Sequence, residues 1–453
     1  MSFHVEVAIV GAGISGLSAA WELHKLGIKS LVVLEANSRV GGRTLNHPLV
    51  SGGYVEQGGT WAGPTQTALL ALAEEMGISV KKGKVEGQTL YGFRQKWTML
   101  EASPSSESDI AQKDFAEAMT TFEALCRTVP VEAPWQAPDA IILDSMTMGA
   151  WIEQNTKTDE ARAWFEGCVR QILSGDPNKV SLLWMLHFIH TAGFNDLLET
   201  AEDFCLVGGT QQISLNIAQR LGEKVLLNAP VTEISGYDGS LVQLVSERGV
   251  VYAQEVIVAM MPKTVARIQF HPPLPPIHRQ LIAQWETMSW IKFHAIYEKP
   301  WWQGQIISGH FLSIDAKIEV IDISPEDASK GVIVGLLAPD YVMLPELERK
   351  EKYLAFLEET FGKPARQPLE LVEFDWNSQP WTGGCISGLS PGLLTRAGSA
   401  LNSPVGRIHW AGTERSSIWV NYIEGAIRAG QKAARDVAAR LRPPIRGIQN
   451  SKL

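Results

Sequence analysis

At 453 residues the chain exceeds the size at which one hydrophobic core stops growing, so two domains are expected. With 45% hydrophobic and 20% charged residues and a mean hydropathy near zero, the composition excludes a disordered or fibrous chain. The formal charge of −9 gives no reason to expect a nucleic acid or an anionic membrane as partner, and it is compatible with a cationic substrate.

In chain order, Val5 to Val10 reads as a buried parallel strand. Gly11-Ala12-Gly13-Ile14-Ser15-Gly16 follows, then a helix over Leu17 to Leu26 that stops at Gly27, then a second strand over Ser30 to Leu34 that ends on Glu35. Val207-Gly208-Gly209-Thr210 opens a helix running through Leu221, and strands are expected at Val225 to Leu227, Val231 to Ile234 and Val251 to Met260. Ile408 to Trp410 reads as a strand, followed by a Gly-Thr-Glu turn and a helix from about Tyr422 to Leu441. Nucleotide-domain pieces thus occur at the start, middle and end. The fold expected is mixed α/β, with a discontinuous Rossmann-type dinucleotide domain (1–85, 205–265, 366–441) interleaved with a substrate domain of mixed β-sheet and helices (86–204, 266–365). A tail over 442–453 is expected to be exposed.

The glycines carry specific tasks. Gly11 permits a tight turn, Gly13 a close backbone approach to a pyrophosphate, and Gly16 close helix–strand packing. Glu35 follows about 20 residues later, where a carboxylate accepts from both ribose hydroxyls. Arg39-Val40-Gly41-Gly42-Arg43 and Gly58-Gly59-Thr60-Trp61 then form a second glycine-rich cradle, which a simple NAD dehydrogenase does not need. Cys126, Cys168, Cys205 and Cys385 are far apart, with no CxxC and no His/Cys cluster, so neither a metal site nor a disulfide framework is expected. The 15 tryptophans suit an apolar-lined cavity or ordinary core packing equally. No secretory signal is visible, and no run approaches the ~20 apolar residues of a membrane span.

LEANSRVGGRT, EQGGTWAGPTQ, VGGTQQIS, WTGGCISGLSPG and WAGTERSSIWVNYIEGAIRAG resemble the successive signatures of the flavin monoamine oxidases. They come in the same order, and the resemblance spans about residues 5 to 440. It implies FAD surrounded by Gly11, Gly13, Gly16, Glu35, Arg43, Gly58, Gly59, Thr60, Val231, Gly412, Thr413 and Glu414, with Trp376 and Trp381 near the flavin end of the pocket. Lys292 matches the family lysine that holds a water beside the flavin and assists oxygen reduction. Read from the residues alone, Ile291-Lys292-Phe293 equally fits a strand with the lysine facing outward. Cys385, in Gly383-Gly384-Cys385, matches the cysteine that forms a thioether to flavin in the animal enzymes, and a small buried thiol is the ordinary state for such a residue.

Tyr422 matches one wall of the family's aromatic cage. The other wall falls on Ile386, an aliphatic departure that leaves Trp61 or Trp381 to compensate. Glu202 falls where the family often has a cavity glutamine; there it would bind a second ammonium, or it is a solvated loop acid. The activity implied is oxidation of an amine to an imine, hydrolysed to aldehyde or ketone plus ammonia or a smaller amine, with O2 reduced to H2O2. The alternatives are a flavin oxidase of amino acids or polyamines, a desaturase, and a non-catalytic binding protein like the GDP-dissociation inhibitors. The animal mitochondrial members carry a C-terminal membrane helix; this chain is expected to be soluble, with a homodimer as one assembly. Ser451-Lys452-Leu453 spells the address read by the peroxisomal import receptor, so a peroxisomal location is expected, and a cytoplasmic one otherwise. Peroxide production fits that address.

Overall fold

The computed structural model describes residues 2–83, 89–100, 109–173, 175–288, 291–304 and 309–442. The tripeptide Ser451-Lys452-Leu453 and nearly all of the expected tail lie outside them.

Two large sheets organise the chain, which has a mixed α/β fold. In the first, Ser2–Val10 lies between Leu31–Leu34 and Gly249–Ala259, parallel to both. Val225–Leu226 extends one edge. On the other side, Gly249–Ala259 is shared by two partners. Its first half pairs with Val242–Ser246 in an antiparallel meander, and its last residues pair in parallel with Ile408–Ala411. The central strands are rich in valine and isoleucine and buried on both faces, as a sheet covered by helices requires. Helix Ile14–Lys25 packs against the C-terminal helix Ile423–Leu441 so closely that a Cβ on Gly430 would fall 2.1 Å from the Ser15 carbonyl oxygen.

The second sheet runs in the order Glu370–Asp375, Ile291–Tyr297, Gly331–Leu337, Ile318–Asp322, His310–Ser313, Leu90–Phe93, Lys96–Met99. One face packs on Glu346–Phe361 through Phe293, Tyr353 and Phe356. The other faces a helical layer that includes Ile110–Cys126, Asp159–Leu173 and Leu182–Ala192, whose core interlocks Phe122, Trp151, Phe165, Trp184 and Phe188. Trp184, Trp302, Trp376 and Trp419 are fully buried, so core packing accounts for much of the tryptophan content.

The sequence-drawn boundaries shift in two places. Gln269–His271, assigned above to the substrate domain, pairs with Val231–Ser235 and extends the first sheet. Glu370–Asp375, assigned to the dinucleotide domain, pairs with Ile291–Tyr297 and edges the second. Both strands are short and sit beside chain crossings, where composition changes little. No helix among the described residues is long and apolar enough to cross a membrane.

Candidate active site

The Gly11–Gly16 loop joins the first strand to its helix. Gly11 adopts φ +101°, and a Cβ there would meet the Ala259 carbonyl oxygen at 2.8 Å; a Cβ on Gly16 would fall 2.0 Å from the Gly11 carbonyl oxygen. Gly13 caps helix Ile14–Lys25 without offering a side chain to its free N–H groups, which leaves the positive helix end for an anion. Glu35 is buried; its Oε2 accepts from Ala12 N at 2.6 Å and its Oε1 from Asn37 N at 2.9 Å. The Glu35 carbonyl accepts from Ala229 N, which brings the start of strand Val231–Ser235, and with it Val231, to the same sheet end. Gly16→Ala places its methyl group against backbone that cannot swing away. We expect about 1–3 kcal/mol of destabilisation and a reduced flavin-to-protein absorbance ratio in the purified variant.

The second cradle converges on the same end of the sheet. A Cβ on Gly58 would lie 2.0 Å from the Arg43 carbonyl oxygen, and Gly59 abuts Ile423. Arg43 donates to the Cys385 carbonyl at 2.7 Å and lies 2.7 Å from Glu414 Oε1. Glu414 is buried, and despite this ion pair neither of its oxygens receives an aligned hydrogen bond. A buried carboxylate in that state awaits donors from a ligand. Gly412, at φ +122°, donates to Ser15 Oγ, and Thr413 Oγ1 donates to the Tyr422 carbonyl at 2.8 Å. The glycine cradles, the uncapped helix end and the orphan carboxylate fit FAD.

Lys292 is 5% exposed. Its Nζ donates to the Gly58 carbonyl at 2.9 Å and to Thr60 Oγ1 at 2.8 Å, and lies 5.3 Å from the Trp61 ring centre. The outward-facing reading of this lysine is overturned, because all seven residues of Ile291–Tyr297 are buried between neighbouring strands and packed layers. Burial lowers the ammonium to about 8, against the pull of Glu56, Cys385, Glu202 and Cys205. Trp376 donates to the Gln57 carbonyl at 2.8 Å. Trp381 is placed differently: its ring lies 5.3 Å from the Arg267 guanidinium. Of the two rings that could replace the missing cage wall, Trp61 is therefore the one beside Lys292.

Cys385 is half-buried in a loop with Gly383 at φ +65° and Gly384 at φ +127°; burial raises its thiol, while Arg43 and Lys292 oppose that shift. Tyr422 packs on Trp419 and Phe188, and Ile386 packs on the same helical core.

Directly opposed residues in neighbouring strands share a face. The register aligns Lys292, Leu336, Glu319, Leu312 and Tyr91 in one row across the second sheet. Helix Asp159–Leu173 covers the far end of this row: Gln171 Nε2 donates to Glu319 Oε1 at 2.8 Å, and Tyr91 Oη lies 3.5 Å from Cys168 Sγ. His310 Nε2 lies 2.7 Å from the same Glu319 oxygen. Between helix and sheet a small cleft is lined by Gly167, Gln171, Leu312, Glu319 and Leu336, among others.

Glu202 leads into Phe204–Leu206, the strand paired with Trp61–Ala62. Glu202 is exposed by surface area, yet desolvation by surrounding protein is the largest influence on its carboxyl, raised to about 7 with help from Glu319 and against His310 and Lys292. Its charge also contributes, after burial, to raising the Tyr422 phenol, so the two side chains lie within electrostatic reach of each other. Glu56, Glu319, His310 and Gln171 escaped the sequence reading, since register between distant strands, rather than any local motif, brings them here.

Comparison with known proteins agrees with this geometry. A protein of Mycobacterium tuberculosis named for a flavin-containing monoamine oxidase activity, AofH, is 36% identical over 444 residues, covering 96% of this chain and 97% of its own. The structure of wild-type putrescine oxidase bound to putrescine superposes with a TM-score of 0.92 at 31% identity, covering 97% of this chain and 100% of its own. Cyclohexylamine oxidase from Brevibacterium oxydans gives 0.91 at 32%, covering 96% and 99%. The family described as flavin containing amine oxidoreductase matches residues 14–438, and with the cofactor cradle and the buried lysine in place, this chain belongs to that family of FAD-dependent amine-oxidising enzymes.

Proposed function

We propose that the chain oxidises a primary amine that carries a second cationic group, with O2 as electron acceptor. The overall change is R–CH2–NH2 + O2 + H2O to R–CHO + NH3 + H2O2. The reading rests on the carboxyls Glu319, two strands from Lys292 in one row of the second sheet, and Glu202, which is within electrostatic reach of Glu319, Lys292 and Tyr422. Two strand spacings, about 10 Å, separate Lys292 from Glu319 across the floor, room for an extended diamine with one end at each. FAD accepts the two electrons of amine oxidation. The protein supplies the rest. Tyr422 and Ile386 flank the entry to the flavin end, the apolar walls favour the neutral form of the reacting amine, and Glu202 holds the distal ammonium. The likeness to putrescine oxidase supports this substrate class.

A second reading rests on Ile386. An aliphatic wall opposite Tyr422 suits a saturated ring or alkyl chain, and the likeness to cyclohexylamine oxidase supports a monoamine. Anaerobic titration of the purified flavoprotein separates the two: diamines bleach the flavin at lower concentration if the first holds, alicyclic monoamines if the second does. A flavin that no amine bleaches defeats both.

We further propose that Cys385 holds the flavin covalently. The Gly-Gly-Cys turn and the hydrogen bond from Arg43 to the Cys385 carbonyl fix this loop beside the cofactor cradle. Redesigns of cofactor binding in putrescine oxidase likewise introduce a cysteine for an alanine. Acid precipitation is expected to leave yellow colour in the pellet of the native protein and to release it to the supernatant from Cys385→Ala. Release from the native protein refutes the bond.

A further inference from the structure

Glu56 ends the strand Tyr54–Glu56, two residues before the carbonyl that Lys292 holds. Its Oε1 lies 2.7 Å from Thr210 N and 3.0 Å from Thr210 Oγ1. The same Thr210 hydroxyl lies 2.5 Å from the Gly59 carbonyl oxygen. A hydroxyl has one proton to donate and a carbonyl has none. The two contacts compete for the single Thr210 proton, and that competition is relieved when Glu56 itself carries a proton and donates it to Oγ1. The oxygen keeps a lone pair for Thr210 N. The consecutive carbonyls of Gly58 and Gly59 are thus held, one by Lys292 and the other through Thr210 by Glu56.

The surroundings agree. Burial raises the Glu56 carboxyl to about 7, with Thr210, Lys292 and Lys81 opposing; Tyr54 and Cys205 also face it. Lys292 is faced by Glu56, Cys385, Glu202 and Cys205, whose charges favour the ammonium, and by His294, which burial keeps neutral.

We infer that Glu56 is a positioning residue that acts through Lys292: when protonated it donates to Thr210 and through it holds the Gly59 carbonyl, and when ionised its charge favours the Lys292 ammonium. On ionisation the Thr210 hydroxyl turns its proton to Glu56 Oε1. The net charge of the pair then falls from +1 to 0, and the new anion raises the pH at which Lys292 loses its proton.

The kinetic part of this inference rests on the amine-oxidase reading, while the spectroscopic part does not. Infrared titration of the purified holoenzyme should show a protonated-carboxyl band that vanishes as pH rises through about 7 and is missing in Glu56→Gln. Glu202→Gln, measured alongside, identifies the band of the other raised carboxyl. In stopped-flow mixing of pre-reduced enzyme with O2, the alkaline limb near 8 should move down by about one pH unit in Glu56→Gln and return towards the native position in Glu56→Asp. A purely structural Glu56 would lower flavin content or stability without moving that limb. The Glu56→Gln side chain retains an oxygen for Thr210 N; should that variant lose flavin, Thr210→Val, which keeps the N–H and removes the hydroxyl, should shift the Glu56 band to a new midpoint. Infrared spectra identical in native protein and Glu56→Gln, or an alkaline limb that stays in place, would overturn the inference.

Discussion

Replacing Lys292 with methionine is expected to slow the oxygen-dependent half of turnover about 10²-fold, the loss typical of removing one preorganised charge or donor from a reaction centre. Stopped-flow mixing of amine-reduced enzyme with O2 measures it directly. Anaerobic bleaching of the flavin by amine should change far less, because the lysine donates to Gly58 and Thr60 and not to the cavity's distal end. The fold should tolerate the change. Thr60 Oγ1 also reaches the Gly58 carbonyl at 3.1 Å, so both groups retain a partner after the lysine is gone. A variant with equal losses in both half-reactions would show that Lys292 acts on the architecture of the site and not on the oxygen step. In the native protein the oxygen step should weaken as pH rises through about 8, where the buried ammonium loses its proton.

Glu202→Gln is expected to raise the KM for a diamine by about 10–100-fold, the range of a charge-assisted hydrogen bond to an ammonium, and to leave an alkyl monoamine nearly unaffected. The sign of the pH dependence is a separate check. The carboxyl ionises only as pH rises through about 7, so diamine binding to the native enzyme should tighten across that interval, and the Glu202→Gln variant should lose this dependence. Equal losses for diamine and monoamine would place Glu202 in packing and remove it from recognition.

Much of the cofactor site is legible from residues alone, because its chemistry is local. Gly11, Gly13 and Gly16 mark a turn that tolerates no side chain, and Glu35 closes the same βαβ unit. Lys292 is ambiguous in sequence for a physical reason: alternation distinguishes inside from outside only where a strand has one wet face, and Ile291–Tyr297 has none. Glu202 stays open between cavity and loop because its environment is made by Trp61 and by the His310–Glu319 pair, which come from two other parts of the chain. The row from Lys292 to Glu319 exists only through the register of Ile291–Tyr297, Gly331–Leu337 and Ile318–Asp322. No local pattern encodes a register between strands joined by long connections. The domain edges shift for a similar reason, since Gln269–His271 and Glu370–Asp375 are too short for composition to assign them to a sheet.

The sharing of Gly249–Ala259 among three partners sets the order in which a ribosome can deliver a finished enzyme. Ser2–Val10 and Leu31–Leu34 emerge early, but their exposed edge waits for the central strand, which at ordinary rates of synthesis follows after roughly 10–50 s. Ile408–Ala411 is made later still, so flavin can be captured only once nearly the whole polypeptide has been released. During that interval an unpaired, valine-rich edge is open to aggregation. Yield in a heterologous host should therefore depend more on chaperone capacity and temperature than on riboflavin supply, and fragments cut at either domain crossing should be recovered as inclusion bodies.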